Sequence, residues 1–360
     1  MKARVSTETE VDREALTALF QATNGHRWLN NRGWIEEIEL WKWSGVQVNA
    51  DDHVVKLHLG NRQASPRSLS EVEILLGISS PSSSCSNFLY CRDGDFEISE
   101  SLRRELATLR KHLVLNNLTG SIPSDLGALA FLEELDLSYS RLNGWLPCEL
   151  GTLTALQKLH LPVNKLAGPI PKELGQLTAL QQLNLSYNNL AGPIPRELGR
   201  LDALLKLHLV FNELTGPIPS DLGNLTALKE LILSNNQLSG PIPIELGKMT
   251  ALQTLFLNYN QLTGSMPNEL GNLTALQRLF LCDNQLTGHI PVDLGKLTGL
   301  QKLILSNNQL TGPIPSELGN LTTLQRLILS NNQLTGPIPS DLGKLITLQS
   351  LFLCDNQLTG

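Results

Sequence analysis

The sequence predicts an α/β solenoid, in which one short unit is stacked many times, and two observations carry this prediction. The phrase LILSNNQLTGPIPS occurs twice, and its second copy begins 24 residues after the first. A leucine also opens each unit at the same interval over most of the chain. Such a period is typical of repeat proteins whose units contact only their neighbours. The opening leucines are Leu135, Leu159, Leu183, Leu207, Leu231, Leu255, Leu279, Leu303, Leu327 and Leu351.

The consensus of the unit, LxLxxNxLTGPIPxELGxLTALQx, explains why it forms one turn of a coil. Alternate residues of a strand point to opposite faces, so the two leucines of LxL point inward and the residue between them points outward. The asparagine can hydrogen-bond the backbone of neighbouring turns, the glycine permits a bend, and the prolines stop helix formation. Stacked units then share one leucine core beneath parallel strands about 4.8 Å apart.

The first residues differ from the repeat and predict a cap. The spacing of apolar residues predicts a helix over 11–23, and two β-type runs at 45–48 and 53–59 predict a hairpin. We assign residues 1–56 to a cap that covers the first open face of the solenoid, because terminal repeats require covering. A tryptophan cluster in this segment is interpreted as the core of the cap rather than as an aromatic ligand cage. Its members are Trp28, Trp34, Trp41 and Trp43.

Residues 57–112 are interpreted as a degenerate first repeat that contains a serine-rich insertion of about 30 residues. The insertion, 62–97, is either a loop or an error in the gene prediction such as a translated intron. Residues 113–360 hold about ten repeats of 24 residues and a partial last repeat. Because this last unit stops at Gly360 without a cap, we expect the natural chain to continue.

Composition excludes several classes of protein. A net charge of −6 argues against a nucleic-acid partner, because phosphate binding requires a basic surface. No run of about 18 apolar residues predicts a transmembrane helix, and the N-terminus lacks the apolar region of a secretory signal. The cysteines are odd in number and have no metal-ligand spacing, which predicts reduced thiols in a cytoplasmic protein. We also expect a monomer without metal or cofactor. The alternative is an extracellular or membrane-associated location, if the true N-terminus differs. The cysteines are Cys85, Cys91, Cys148, Cys282 and Cys354.

The unit resembles the plant-type leucine-rich repeat, LxxLxLxxNxLTGxIPxxLGxLxx. This resemblance implies a right-handed curved superhelix with a concave parallel β-sheet and 3-10 turns and loops on the convex side. Receptor-like ectodomains and polygalacturonase-inhibiting proteins share the repeat, which implies recognition of proteins, peptides or glycans. The segment Trp43-Ser44-Gly45-Val46 also resembles the C-x-W-x-G-V-x-C of family caps, although Trp41 and Val48 replace its cysteines. The cap is therefore predicted to lack the family disulfide, as in intracellular leucine-rich proteins of microbes and algae.

Catalysis is poorly supported by the sequence. Asp136 and His160 occupy the outward LxL position of adjacent units and could approach to about 5 Å. They lack a candidate nucleophile in an apolar pocket, which makes the pair weak support for an enzyme. No nucleotide-binding or kinase motif occurs either. We therefore expect a protein that is not an enzyme.

Binding is better supported, because the outward LxL position changes from polar to apolar along the chain. Six successive units carry Ile or Phe there, and a contiguous apolar stripe on the concave sheet predicts an interaction site. Cations before LxL and aromatic residues after it suit a protein interface. The alternative is that Ile and Phe only stabilise the strands through cross-strand pairing. The candidate ligand-binding residues are Lys206, Phe211, Ile232, Phe256, Tyr259, Arg278, Phe280, Lys302, Ile304, Arg326, Ile328 and Phe352.

These observations predict a recognition module that binds a protein or peptide on its concave face, in signalling or defence. Two alternatives stay open. One is an extracellular inhibitor or receptor ectodomain for glycans or secreted enzymes, and the other is a scaffold segment of a larger kinase or GTPase protein. Five N-x-[ST] sequons would matter if the protein were secreted. They lie at Asn117, Asn184, Asn224, Asn272 and Asn320.

Overall fold

The computed structural model describes residues 5–28, 34, 46–50, 53–59 and 118–359. The insertion, Trp41, Trp43, Cys85, Cys91 and Asn117 lie outside these ranges. The described residues form the predicted α/β solenoid, in which parallel strands recur once in each unit. The division into cap, degenerate first repeat and repeat array stays a prediction.

The N-terminal part contains one α-helix and a hairpin. The helix spans Val5–Ala22, so it begins six residues before the predicted start, and a 3-10 turn follows at Gly25–Arg27. Trp28 and Trp34 are buried and pack edge to face with ring centroids 4.8 Å apart. They belong to the same core as the repeat leucines, which agrees with a structural role for these two tryptophans.

The LxL segments form one sheet of 12 strands, hereafter the long sheet. Its first two strands pair antiparallel, and every later strand pairs parallel with the next, in register. Each residue of a strand pairs with the equivalent residue of the next unit, so outward side chains of successive units stand side by side. The strands are Val46–Val48, Val54–His58, Glu134–Asp136, Lys158–His160, Gln182–Asn184, Lys206–His208, Glu230–Ile232, Thr254–Phe256, Arg278–Phe280, Lys302–Ile304, Arg326–Ile328 and Ser350–Phe352.

The segments around LTGPIP form the side sheets, one of nine strands and one of two. The strands of the larger side sheet are Ala167–Gly168, Asn189–Pro193, Glu213–Gly216, Gln237–Gly240, Gln261–Ser265, Gln285–Gly288, Gln309–Gly312, Gln333–Pro337 and Gln357–Thr359. The smaller one pairs Thr119–Ser121 with Arg141–Asn143. The return side of the coil consists of 3-10 turns: Ser124–Ala128, Cys148–Thr152, Lys172–Gln176, Arg196–Arg200, Ser220–Asn224, Ile244–Lys248, Asn268–Asn272, Val292–Lys296, Ser316–Asn320 and Ser340–Lys344.

An asparagine ladder ties the turns together, as the sequence predicts. In one unit, Asn260 Nδ2 donates to the carbonyl oxygens of Leu233 and Leu257 at 3.1 and 3.0 Å. Its Oδ1 accepts from the backbone N–H of Leu238 at 3.0 Å. Leucines surround this ladder and are inaccessible to solvent over most of the array. The amide thus satisfies backbone groups of two adjacent turns that would otherwise be buried without partners.

Among the described residues, no helix is long and apolar enough to cross a membrane.

Candidate functional site

The apolar stripe on the long sheet is a second core rather than an exposed surface. Phe256 and Phe280 are 0% exposed, Ile232 is 2% exposed and Ile304 is 4% exposed. The prediction that these four side chains face solvent is therefore wrong. Strand alternation predicts which way a side chain points, but not how far the neighbouring columns cover it. The buried set, hereafter the concave cluster, consists of Val210, Ile232, Phe256, Phe280, Cys282 and Ile304.

Stacking explains this burial. The rings of Phe256 and Phe280 lie parallel, with centroids 4.1 Å apart. The guanidinium carbon of Arg278 lies 6.0 Å from the centroid of the Phe256 ring, at the limit of a cation–π contact. Tyr187, Phe211 and Ile328 pack against the margin of the concave cluster and stay partly exposed. Val210 and Cys282 were missed by sequence reasoning, because their position after LxL is polar in most units.

The remaining candidate residues form the accessible surface around the concave cluster. They are half-exposed, so a ligand can reach them: Lys206, Phe211, Tyr259, Arg278, Lys302, Arg326, Ile328 and Phe352. From Tyr259 to Phe352 these residues lie in consecutive turns, whereas Phe211 lies two turns before Tyr259. Lys206 pairs with Glu230 at 2.9 Å on the polar side.

Three cations run in register beside the concave cluster. Arg278 aligns with Lys302, and Lys302 aligns with Arg326, on three adjacent strands. Arg278 Nη2 donates a hydrogen bond to Thr254 Oγ1 at 3.0 Å, which orients the guanidinium. Like charges placed directly opposite each other on neighbouring strands are destabilising. This basic row therefore concentrates positive charge beside the concave cluster.

Aromatic side chains next to the cluster sit at an unusual backbone position. One residue in each unit adopts a left-handed conformation, with φ of 57° at Tyr187, 54° at Phe211 and 54° at Tyr259. Asn or Asp, which tolerate this conformation better, occupies the position in most later units. A bulky residue there costs roughly 1–3 kcal/mol, so it persists only where packing holds it. The rings of Tyr187 and Phe211 stack with centroids 4.7 Å apart, which supplies such packing.

A polar ladder continues from Tyr259 through the following units. Asn307 Nδ2 donates to Asp283 Oδ1 at 2.8 Å, and Asn331 Nδ2 donates to Asn307 Oδ1 at 2.6 Å. Burial raises the pKa of Asp283, which hydrogen bonds from its neighbours only partly oppose. Burial and the nearby Asp283 charge also raise the pKa of the Tyr259 hydroxyl. The ladder thus links the side chains of Asp283, Asn307 and Asn331 across three successive units.

The N-terminal half of the same face is charged and internally paired. Glu134 lies 2.9 Å from Lys56 Nζ and 3.1 Å from Lys158 Nζ. Burial alone would raise the pKa of Glu134, but hydrogen bonds from both lysines and their charges lower it to about 2. Glu230 repeats the arrangement with His208 at 2.8 Å and Lys206 at 2.9 Å, and its pKa is also about 2.

The Asp136–His160 pair does not form an acid–base couple. The two residues are in register on adjacent strands, as predicted. However, the Asp136 carboxylate accepts from the Ser138 backbone N–H at 3.0 Å, and His160 Nε2 lies 3.2 Å from Gln182 Oε1. Burial lowers the pKa of His160, so the imidazole is neutral near pH 7. Among the described residues no group of three or more His, Cys, Asp or Glu side chains is arranged to hold a metal ion.

Comparison with known proteins agrees with this architecture. One family model described as leucine-rich repeat matches residues 226–286. A second of the same description matches 131–153, 179–201, 203–225, 299–321 and 323–345. No match was found among curated proteins. The chain is a leucine-rich-repeat protein of the plant type.

Solved structures give more specific relatives. The Arabidopsis receptor kinase HAESA, solved with the peptide hormone IDA and the co-receptor SERK1, is 32% identical, with a TM-score of 0.68 over 98% of this chain and 54% of HAESA. The ectodomain of the Arabidopsis receptor kinase GASSHO1/SCHENGEN3, solved with CASPARIAN STRIP INTEGRITY FACTOR 2, is 29% identical, with a TM-score of 0.64 over 96% of this chain and 44% of its own. A Leptospira interrogans protein, LIC12759, is 36% identical, with a TM-score of 0.52 over 66% of this chain and 64% of its own. The chain thus spans about half the length of the plant relatives.

These relatives overturn the predicted cytoplasmic location. The plant structures are receptor ectodomains, which are extracellular. The wrong prediction relied partly on the missing cap disulfide. A solenoid does not need that bond for stability, because each turn buries its leucines against the next. Leucine-rich-repeat folds are a non-enzymatic kind of fold.

Proposed function

We propose that the chain is an extracellular recognition module that binds an extended peptide or protein segment across the concave face, in signalling or defence. The observation that carries this proposal is the basic row of Arg278, Lys302 and Arg326 beside the concave cluster. The row offers a carboxylate charge-assisted hydrogen bonds. The half-exposed Tyr259, Ile328 and Phe352 offer apolar contact next to it.

The concave cluster supports binding indirectly. Its rings are already packed in the free protein, so the strands beneath the ligand are held in place before binding. Preorganisation of this kind reduces the ordering cost that binding must overcome. We therefore assign contact with the ligand to the half-exposed residues and a supporting role to Ile232, Phe256, Phe280 and Ile304.

The relatives favour a peptide as ligand. The structure of HAESA holds a peptide hormone, and the structure of GASSHO1/SCHENGEN3 is a complex with CASPARIAN STRIP INTEGRITY FACTOR 2. A receptor-type role outside the cell also agrees with the extracellular nature of these ectodomains. In keeping with the sequence prediction, we propose that the chain acts as a monomer.

Charge reversal tests this proposal. Peptides that bind the wild-type chain are selected from a random library, and their affinity is then measured for the triple variant Arg278→Glu, Lys302→Glu and Arg326→Glu. We expect selected peptides to combine acidic and apolar residues and to lose at least about tenfold in affinity, since charge-assisted contacts to a desolvated group are strong.

The matched control reverses three cations on the opposite side of the coil. Lys248, Lys296 and Lys344 are exposed in the 3-10 turns and recur every second repeat, and their reversal gives the same net charge. We expect this variant to bind like the wild type. Equal affinity of both triple variants for the selected peptides would contradict the proposed site.

A further inference from the structure

A second surface departs from the repeat in three neighbouring positions. On the side sheets, the residue after the ladder asparagine is exposed and is glutamine in the later units, but Arg141 and Lys165 occupy it in two early units. The residue after the LTG glycine is usually proline, but it is Trp145 in the first of these units. The consensus residues are Gln237, Gln261, Gln285, Gln309, Gln333 and Gln357, and Pro169, Pro193, Pro217, Pro241, Pro313 and Pro337.

Trp145 is the outstanding apolar feature of this surface. Its side chain is 70% exposed, whereas Trp28 and Trp34 in the cap are buried. A β-bridge joins Trp145 to Ala167 in the next turn. The adjacent Gly168 leaves room for the indole, because a Cβ on that glycine would lie 2.8 Å from Cδ1 and Nε1 of the ring. The indole is therefore seated on the backbone of the next turn and presents most of its surface to solvent.

The two cations lie in the same two turns as this ring and its bridge partner Ala167. Arg141 lies in the strand that ends two residues before Trp145, and the Lys165 N–H donates to the Leu142 carbonyl at 2.7 Å, which places Lys165 beside that strand. Both side chains are exposed. Neither forms an ion pair with a carboxylate in the described part of the chain. Within a protein of net charge −6, this patch is locally basic.

We infer that Trp145, Arg141 and Lys165 form a second docking surface whose partner is a protein presenting a carboxylate-rich, partly apolar segment. Trp and Arg are the residues that most often dominate the energy of protein interfaces. Cations in the same turns as an apolar ring favour an acidic partner and speed its approach. The patch lies on the open face of a sheet, which suits a protein surface better than a small molecule, since small ligands require a concave pocket.

This surface is distinct from the site of the proposed function. The Trp145 patch lies on the side sheets of the early repeats, whereas the basic row lies on the long sheet of the late repeats. A chain with both surfaces could hold a peptide on one and a second protein on the other. The two proposals do not depend on each other.

The repeat supplies the variants for a test. Trp145→Pro, and Arg141→Gln with Lys165→Gln, restore the residues that other units carry at these positions, so the fold is expected to persist; unchanged thermal unfolding checks this. The probe is a soluble synthetic peptide of alternating Glu, Gly and Leu, and its control replaces Glu by Lys. Binding is measured to the immobilised full chain at low salt, where charge attraction is least screened.

We expect the Glu peptide to bind, the Lys peptide not to bind, and each consensus variant to weaken binding at least about tenfold, the size of effect typical of an interface anchor. Because the basic row also attracts acidic peptides, the comparison is repeated in a chain that carries the triple charge reversal at Arg278, Lys302 and Arg326, where the consensus variants should weaken binding by the same factor. Failure of the Glu peptide to bind, or equal binding to the consensus variants, overturns the inference. Two further probes are oligogalacturonate and phosphatidylserine vesicles. If one of them binds through Trp145 and the Glu peptide does not, the patch is assigned to an acidic glycan or a membrane instead.

Discussion

The rings of Phe256 and Phe280 stack with centroids 4.1 Å apart and planes 2° apart, and neither ring is exposed to solvent. This pair changes how the concave face is understood. A stripe of outward-pointing apolar residues forms a packed layer that belongs to the stability of the protein. The surface that a ligand meets consists of the half-exposed residues around it.

Truncation within this layer should therefore destabilise the fold. We expect Phe280→Ala to lower the free energy of unfolding by about 3–5 kcal/mol, as for other buried aromatic residues, measured by urea denaturation. Phe352→Ala is the matched control, because Phe352 occupies the same column but is half-exposed in the last unit. A control variant destabilised as strongly as Phe280→Ala would contradict the description of a second core.

The asparagine ladder makes a separate prediction. Asn260→Ala removes both carbonyl partners and the acceptor for Leu238, leaving buried backbone groups unsatisfied. We expect a loss of about 1–3 kcal/mol or more in the free energy of unfolding, measured by denaturant titration. Asn356→Ala in the partly exposed last unit should cost less, because water can replace its contacts. Similar losses at both positions would argue against burial as the cause.

Two ion-paired carboxylates on the long sheet should make stability depend on pH in the acid range. Glu134 and Glu230 have pKa values of about 2 in the folded chain, against an ordinary value of 4.5. A depressed folded pKa gives stability that is fully present above about 4.5 and is lost as the pH falls towards 2. The difference in unfolding free energy between wild type and Glu134→Gln should therefore be largest above pH 4.5 and shrink below it. A difference that does not change with pH would exclude these ion pairs as its source.

The sequons differ in accessibility, which predicts where glycans attach if the chain is produced by secretion. Asn224, Asn272 and Asn320 are exposed at the ends of 3-10 turns, whereas Asn184 is half-buried on the long sheet and its Oδ1 accepts from the Ser186 N–H at 3.1 Å. Mass spectrometry of the secreted protein should find glycans at the three exposed sites and not at Asn184. A glycan at Asn184 would place a large group on the face assigned to the ligand and count against that assignment.

The repeat, its strands and its ladder were predictable because one physical rule, repeated in each unit, determines them. The inward leucines, the asparagine contacts and the parallel long sheet all follow from alternation and period. The helix start at Val5 was not predictable, because its first turn is polar and carries no apolar periodicity. The burial of Phe256 was also not predictable, because it depends on how far Arg278 and the other neighbouring side chains cover the ring. The special position of Trp145 was visible as a departure from proline, but its exposure required the structure.

The central claim is that a peptide lies against the half-exposed rim of the concave cluster, and site-specific photo-crosslinking tests it most directly. A photoreactive amino acid replaces Ile328 on the long sheet or, as control, Ile244, which is 56% exposed in a 3-10 turn on the opposite side. A peptide selected for binding to the wild-type chain should crosslink at position 328 and not at position 244. Crosslinking at 244 alone, or equally at both positions, would contradict the account.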